Sequence, residues 1–206
     1  MEDNNEEKIR LEREKNQGKG ARNVFLFLGF LVLLFGIWMF ISYKQTRFDY
    51  NGVDFQKVKE IAPYRTSLKL SYSPGITGNA VKNVDYSLYI RNDPRKLDAI
   101  PFIGNLSFRT PLLLSSKEEF NCNGDGIIGI QNLALLYQAL AIKVMKSNNE
   151  SCVNDSMFLK IESGNETKIE QISESCYIMS VSNCEILKAT ERFITETLVE
   201  VENKKG

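Results

Sequence analysis

The stretch FNCNGDGIIGIQN, Phe120 to Asn132, places oxygen-bearing residues at the spacing of a calcium loop. Asn121, Asn123 and Asp125 fall at positions 1, 3 and 5, Gly126 falls at the sharp-turn position 6, and Ile128 at the apolar position 8. Such loops draw affinity from several carboxylates and usually close with a bidentate glutamate at position 12. Here Asp125 is the sole anion and position 12 is Asn132. Two readings follow: a structural turn whose Asp125 caps the next helix, which the NGDG run favours, or a weak calcium site formed by Asn121, Asn123, Asp125 and Asn132.

A second candidate is RNDPRKLDAIP, where Arg91, Arg95 and Lys96 surround Asp93-Pro94. Three cations on one turn suit an anion, although a solvated basic turn needs no ligand and is the preferred reading. Catalysis has less to work with. With no histidine among 206 residues, Ser-His-Asp and Cys-His nucleophiles and the usual His-containing zinc and haem sites are closed. Carboxylates such as Asp93, Asp98, Glu118 and Glu119 are scattered, without a spacing that marks a general acid and base. No catalytic residue is assigned and no cofactor is expected, calcium being the weak alternative.

The four cysteines contain no C-x-x-C pair, and their gaps do not suit a zinc knuckle. Disulfides are the expected fate. If Gly164-Asn165 is a two-residue hairpin tip, the register brings Cys152 opposite Tyr177, one place from Cys176. That favours Cys152 with Cys176 and leaves Cys122 with Cys184, while the other two connectivities stay open.

The elements that must position these groups begin with a membrane signal. Val24 to Tyr43 is a run of twenty residues without a charge, long enough as a helix for the roughly 30 Å of bilayer hydrocarbon. The reading is one transmembrane helix, an uncleaved signal anchor in contact with lipid. A cleaved signal peptide is the competing reading, but the run exceeds a signal core and no small-x-small site follows it. Arg10, Arg13, Lys15, Lys19 and Arg22 precede it, against Lys44, Arg47 and Lys57 after it, which places the N-terminus in the cytoplasm. Residues 1–23 are densely charged and have too few apolar residues to build a core. All four cysteines and the sequons at Asn105, Asn149, Asn154 and Asn165 then lie on the extracytoplasmic side, where disulfides persist and glycosylation is possible.

Residues 44–206 read as one disulfide-stabilised α+β domain of about six to eight short strands and two helices. Asn51-Gly52 is a hairpin signal; SLKLSYS and VDYSLYI alternate as strands, followed by LSFRTPLLL. Ile127 to Met145 reads as the central core helix, with Leu133, Tyr137, Leu140 and Val144 on one stripe. MFLKIES and TKIEQIS flank Gly164-Asn165 as a hairpin, CYIMSV is a further strand, and a final helix starts after Ser182, capped with Glu185.

RNDPRKLDAIP, the opening FDYNGVDF, and the cysteine-bearing strand before the final ATERF helix resemble an uncharacterised set of archaeal single-pass membrane proteins with small extracytoplasmic domains. The resemblance covers most of residues 48 to 198. It implies the topology and nothing catalytic.

The expected function is therefore a non-catalytic, membrane-anchored extracytoplasmic binding or assembly module. Its partner is another envelope or membrane protein, not nucleic acid. The alternatives are a carboxylate enzyme or a binder of a small ligand, lipid or glycan. Overall neutrality, 26 basic against 26 acidic residues, hides an asymmetry: 44–117 carries 12 basic and 6 acidic residues, and 118–206 carries 8 and 14. Either the halves pack together and their charges cancel across the contact, or the basic half lies over anionic headgroups.

Overall fold

The computed structural model of the chain describes residues 25–41, 46–60, 62–72, 82–149, 151–153 and 155–204. It divides into two compact units, Met1–Thr46 and Arg47–Gly206. In the first, residues 25–41 form helix α1, exposed along its whole length, with Phe25 at 75% and Trp38 at 63%. Its seventeen described residues span about 25 Å at helical rise. No helix among the described residues is long and apolar enough to cross a membrane. The ends of the expected span, Val24, Ser42 and Tyr43, and the charged segment 1–23 lie outside the described residues.

The second unit is α+β, built on two sheets. The first is an antiparallel meander of β1 (Arg47–Tyr50), β2 (Val53–Lys57), β3 (Tyr64–Tyr72) and β4 (Lys82–Ile90). Its first turn is the expected one: Tyr50 faces Val53, and Asn51 and Gly52 both take positive φ, 50° and 85°, which matches the twist of a two-residue hairpin. In β2, alternation puts Val53 and Phe55 inside and Asp54 outside.

The second sheet has six strands in the order β5-β9-β10-β8-β6-β7. These are β5 (Phe102–Ile103), β6 (Leu112–Ser116), β7 (Val144–Lys146), β8 (Met157–Ser163), β9 (Lys168–Ser173) and β10 (Cys176–Val181). Three helices accompany them: α2 (Pro94–Leu97), α3 (Asp125–Ala139) and α4 (Ile186–Asn203). The described domain thus has ten strands and three helices rather than six to eight and two. The added strands, β5 and β7, are too short to show a period.

Three expectations give way here. MFLKIES and TKIEQIS do not form a hairpin, because β10 lies between them, parallel to β8 and antiparallel to β9. The turn of that antiparallel pair is Glu174-Ser175, with Ser175 at φ 94°. The reason is burial on both faces: Met157, Phe158, Leu159 and Ile161 are all inside, the pattern of a central parallel strand. LSFRTPLLL supplies a strand only from Leu112 onward, after a cis Thr110-Pro111 bond. The helix expected over 127–145 stops at Ala139, with Leu140 as C-cap, and Ala141 turns left-handed at φ 60°. Leu133 and Tyr137 are buried, whereas Val144 belongs to β7.

The central helix is α4, not α3. It meets β2 of the meander, β9 and β10 of the mixed sheet, and α2 and α3. Burial all round a polar helix requires internal partners. Thr190 Oγ1 donates to the Ile186 carbonyl at 2.9 Å, Thr195 to Arg192 at 2.8 Å, and Thr197 to Phe193 at 2.8 Å. The expected capping box is absent: Ser182 precedes a turn through Asn183 and Cys184, both at positive φ, and Glu185 is the N-cap. Apolar packing does the rest, as where the Tyr177 and Phe193 rings meet edge-on at 5.6 Å.

Helices α3 and α4 approach closely at Gly129, where an added Cβ would lie 2.2 Å from Thr190 Oγ1. Ala normally gains about 1 kcal/mol over Gly inside a helix. Here Gly129→Ala is expected to cost about 1–3 kcal/mol instead, by overpacking. Thermal melts check it, and Gly129→Ala combined with Thr190→Ala should recover part of the loss.

Candidate binding groove

The two sequence candidates meet. Arg91 Nη1 lies 3.4 Å from Asp125 Oδ1, so the basic turn and the one acidic residue of the loop neutralise each other. Asn121 Oδ1 accepts from the Gly124 N–H at 3.1 Å inside a 3-10 turn, Cys122–Gly124. Asn123 is left-handed at φ 58°, and Asn132 Nδ2 points to the Tyr89 carbonyl at 3.5 Å. Asn121, Asp125 and Asn132 thus each make a polar contact within the protein. Among the described residues, no group of three or more His, Cys, Asp or Glu side chains is placed to hold a metal ion. Asp125 is the first residue of α3 rather than its cap, since Gly124 is the N-cap without a side-chain bond. It still favours the positive helix end. Gly126 is required by close approach, because a Cβ there would sit 1.6 Å from the Phe120 carbonyl oxygen.

The three cations around Pro94 are also drawn apart. Arg95 grips Asp93 through Nε at 2.9 Å and Nη2 at 2.6 Å, and its guanidinium stacks 4.1 Å over Phe48. That grip holds the Asp93 carboxyl below its ordinary pKa. Lys96 borders a polar cleft with Glu166, Glu185 and Lys188.

Both disulfides form as favoured, Cys122–Cys184 with Cα atoms 5.5 Å apart and Cys152–Cys176 with Cα atoms 5.9 Å apart. The register argument behind them does not hold, since Cys176 faces Phe158 in a parallel ladder. Asn105, Asn149 and Asn165 are exposed, and Asn154 lies outside the described residues.

Sequence reasoning missed two buried polar clusters. Glu191 accepts the Arg91 N–H at 2.6 Å, the Asn92 N–H at 2.9 Å and the Asn92 Nδ2–H at 2.8 Å. Arg192 meets Glu196 at 2.5 Å, Asp98 at 3.3 Å and the Tyr50 hydroxyl at 3.0 Å. Burial, then the bond to Asp98, pushes Tyr50 up to about 12. Apart from Arg192–Glu196, one helical turn apart, these partners stand 48 to 142 residues apart, so no local pattern marks them. Arg91–Asp125 and the Arg109 pairs to Asp155 and Glu174 set cations of residues 44–117 against carboxylates of residues 118–206.

What remains open is a groove of about 710 Å³ at the carboxyl ends of β6, β7 and β8. Ser116 and Lys146 are the last residues of β6 and β7, and Ile161 lies near the end of β8. The chain leaves β6 through α3 to β7 on one side, whereas β8 flanks β6 on the other and runs on to β9. Ligands of sheets with parallel strands commonly bind outside the carboxyl ends of those strands. Ile127, Ile130 and Ala134 of α3 form one wall at helical spacing, and Ile161 and Ile186 form the floor. Glu118 and Glu119 stand on the rim, the first accepting a hydrogen bond from the Ser163 hydroxyl. The volume falls in the range of ligand sites. The signal for it was the apolar face of α3, whose breadth was assigned to the core.

The fold and site define a disulfide-bonded α+β domain with an apolar, acid-rimmed groove. No protein-family model, curated protein or solved structure matches the chain.

Proposed function

We propose that the chain is a membrane-anchored, extracytoplasmic, non-catalytic binding module that engages another envelope or membrane protein. The observation that carries the binding role is the groove, an apolar concavity whose lip residue Ile127 is 65% exposed. Two disulfides favour an oxidising exterior. The exposed apolar face of α1, within an uncharged run from Val24 to Tyr43, supports attachment to lipid.

The test is cross-linking in intact cells from a photoreactive amino acid placed at position 127, on the groove lip, and at position 69, on the exposed face of β3. A discrete cross-linked protein band from either position supports the module. No band from either, with the chain present at normal levels, would refute it. Protease outside the cells should digest the domain after Lys44, and a protected C-terminus would refute the topology.

In this reading the loop at Asp125 is structural. Asp125→Ala should cost about 0.5–1 kcal/mol through the lost helix-end charge. Calorimetry with millimolar calcium should give the same trace before and after the change. Saturable binding lost in the variant would establish a calcium site.

A further inference from the structure

Resting on the binding-module reading, we infer that the groove takes a short apolar stretch of a partner polypeptide that carries lysine or arginine. Three features define this occupant. The floor is closed, with Ile161 at 4% and Ile186 at 0% exposure, while the Ile127 lip is open at 65%. A site that engulfs a small molecule buries most of it, whereas a trough with one open side lets a chain enter and leave. The groove also adjoins a sheet edge: Lys146 lines it and ends β7, the last strand in the order, which pairs with β6 alone among the described strands. The outer backbone groups of such a strand are a template for an added extended segment.

Charge selects the sequence of that segment. Two rim carboxylates, Glu118 and Glu119, face a single ammonium, Lys146. From Glu118 to Ile142 the sequence contains no cation, and the third acid of the stretch, Asp125, is taken by Arg91. An extended peptide with aliphatic residues for the floor and a basic residue for the rim matches both. An acidic peptide is repelled.

The experiment is selection from a library of random nine-residue peptides against the full chain in detergent, repeated with Glu118→Lys/Glu119→Lys. Both glutamates are exposed, so the variant is expected to fold, which a melting curve checks. The wild type should enrich peptides combining Ile, Leu, Val or Phe with Lys or Arg. The variant should shift enrichment toward Asp and Glu and lose tenfold or more in affinity for the best basic peptide. That affinity should fall with salt. Ala134→Arg, which places a charged chain in the trough, should abolish binding by both proteins. No enriched peptide, or the same enrichment in wild type and variant, would overturn the inference. A partner cross-linked from position 69 alongside that result would leave the module standing and remove the groove as its binding face.

Discussion

Replacing Glu191 by alanine is expected to lower the stability of the domain by about 3 kcal/mol. Glu191 lies on α4, is fully buried, and gathers two backbone N–H groups and a side-chain amide from the turn after β4. Its removal leaves those donors without an acceptor, and each unsatisfied buried group costs about 1–3 kcal/mol. Gln is expected to cost about half as much, since it keeps one acceptor oxygen but turns a donor toward Asn92. Urea unfolding of the two variants checks both magnitudes.

The same residue gives the domain a pH signature. Burial raises the Glu191 pKa, against the lowering effect of the hydrogen bonds and of Arg91. The folded state therefore holds a proton that the unfolded chain releases near pH 4.3. Between that value and the raised one, stability falls as pH rises. Asp93 works in the opposite sense: its pKa is held down by Arg95, so its contribution is present above the unfolded pKa and lost as pH falls through the folded one. Subtracting the stability curve of Glu191→Gln from that of wild type should isolate a component that declines with rising pH. A component of the reverse slope would show that the carboxyl is not held up by burial.

The second large effect is loss of the disulfides. Cys122–Cys184 closes 62 residues and Cys152–Cys176 closes 24. Chain entropy then predicts losses of about 4 and about 3 kcal/mol for Cys122→Ala/Cys184→Ala and Cys152→Ala/Cys176→Ala. The first bridge ties the turn ahead of α3 to the turn ahead of α4, so its loss should also weaken the groove, which Asn121 and Ile186 border. Denaturant midpoints and slopes, with and without reductant, measure both. Four titratable thiols in protein purified without reductant would refute the bridges.

How much of this was legible depended on range. Asn51-Gly52 could be read because a two-residue turn with positive φ at both positions is a local requirement that few residue pairs meet. The alternation of β3 and β4 was equally local. The end of α3 was hidden because Ala141 occupies the left-handed position where glycine usually marks a helix end. β8 is the expected strand, but its pairing was hidden because Gly164-Asn165 resembles a hairpin tip, whereas its run of buried residues, Met157 to Leu159, suits a strand inside a sheet. The groove was hidden by the ambiguity of apolar residues: Ile127, Ile130 and Ala134 have the periodicity of a core face whether or not anything covers them.

The sequence by itself determined local turns such as Asn51-Gly52, the exclusion of histidine chemistry and the α+β class, because each depends on residue type and short spacing. Tertiary structure alone decided that β10 enters between β8 and β9, that α4 and not α3 is central, and that Arg91 is spent on Asp125 and Glu191 on the turn at Arg91 and Asn92. Contacts of this kind join residues as far as 142 positions apart, where pairing is settled by burial and by which buried polar groups must find partners, and neither leaves a mark on neighbouring residues.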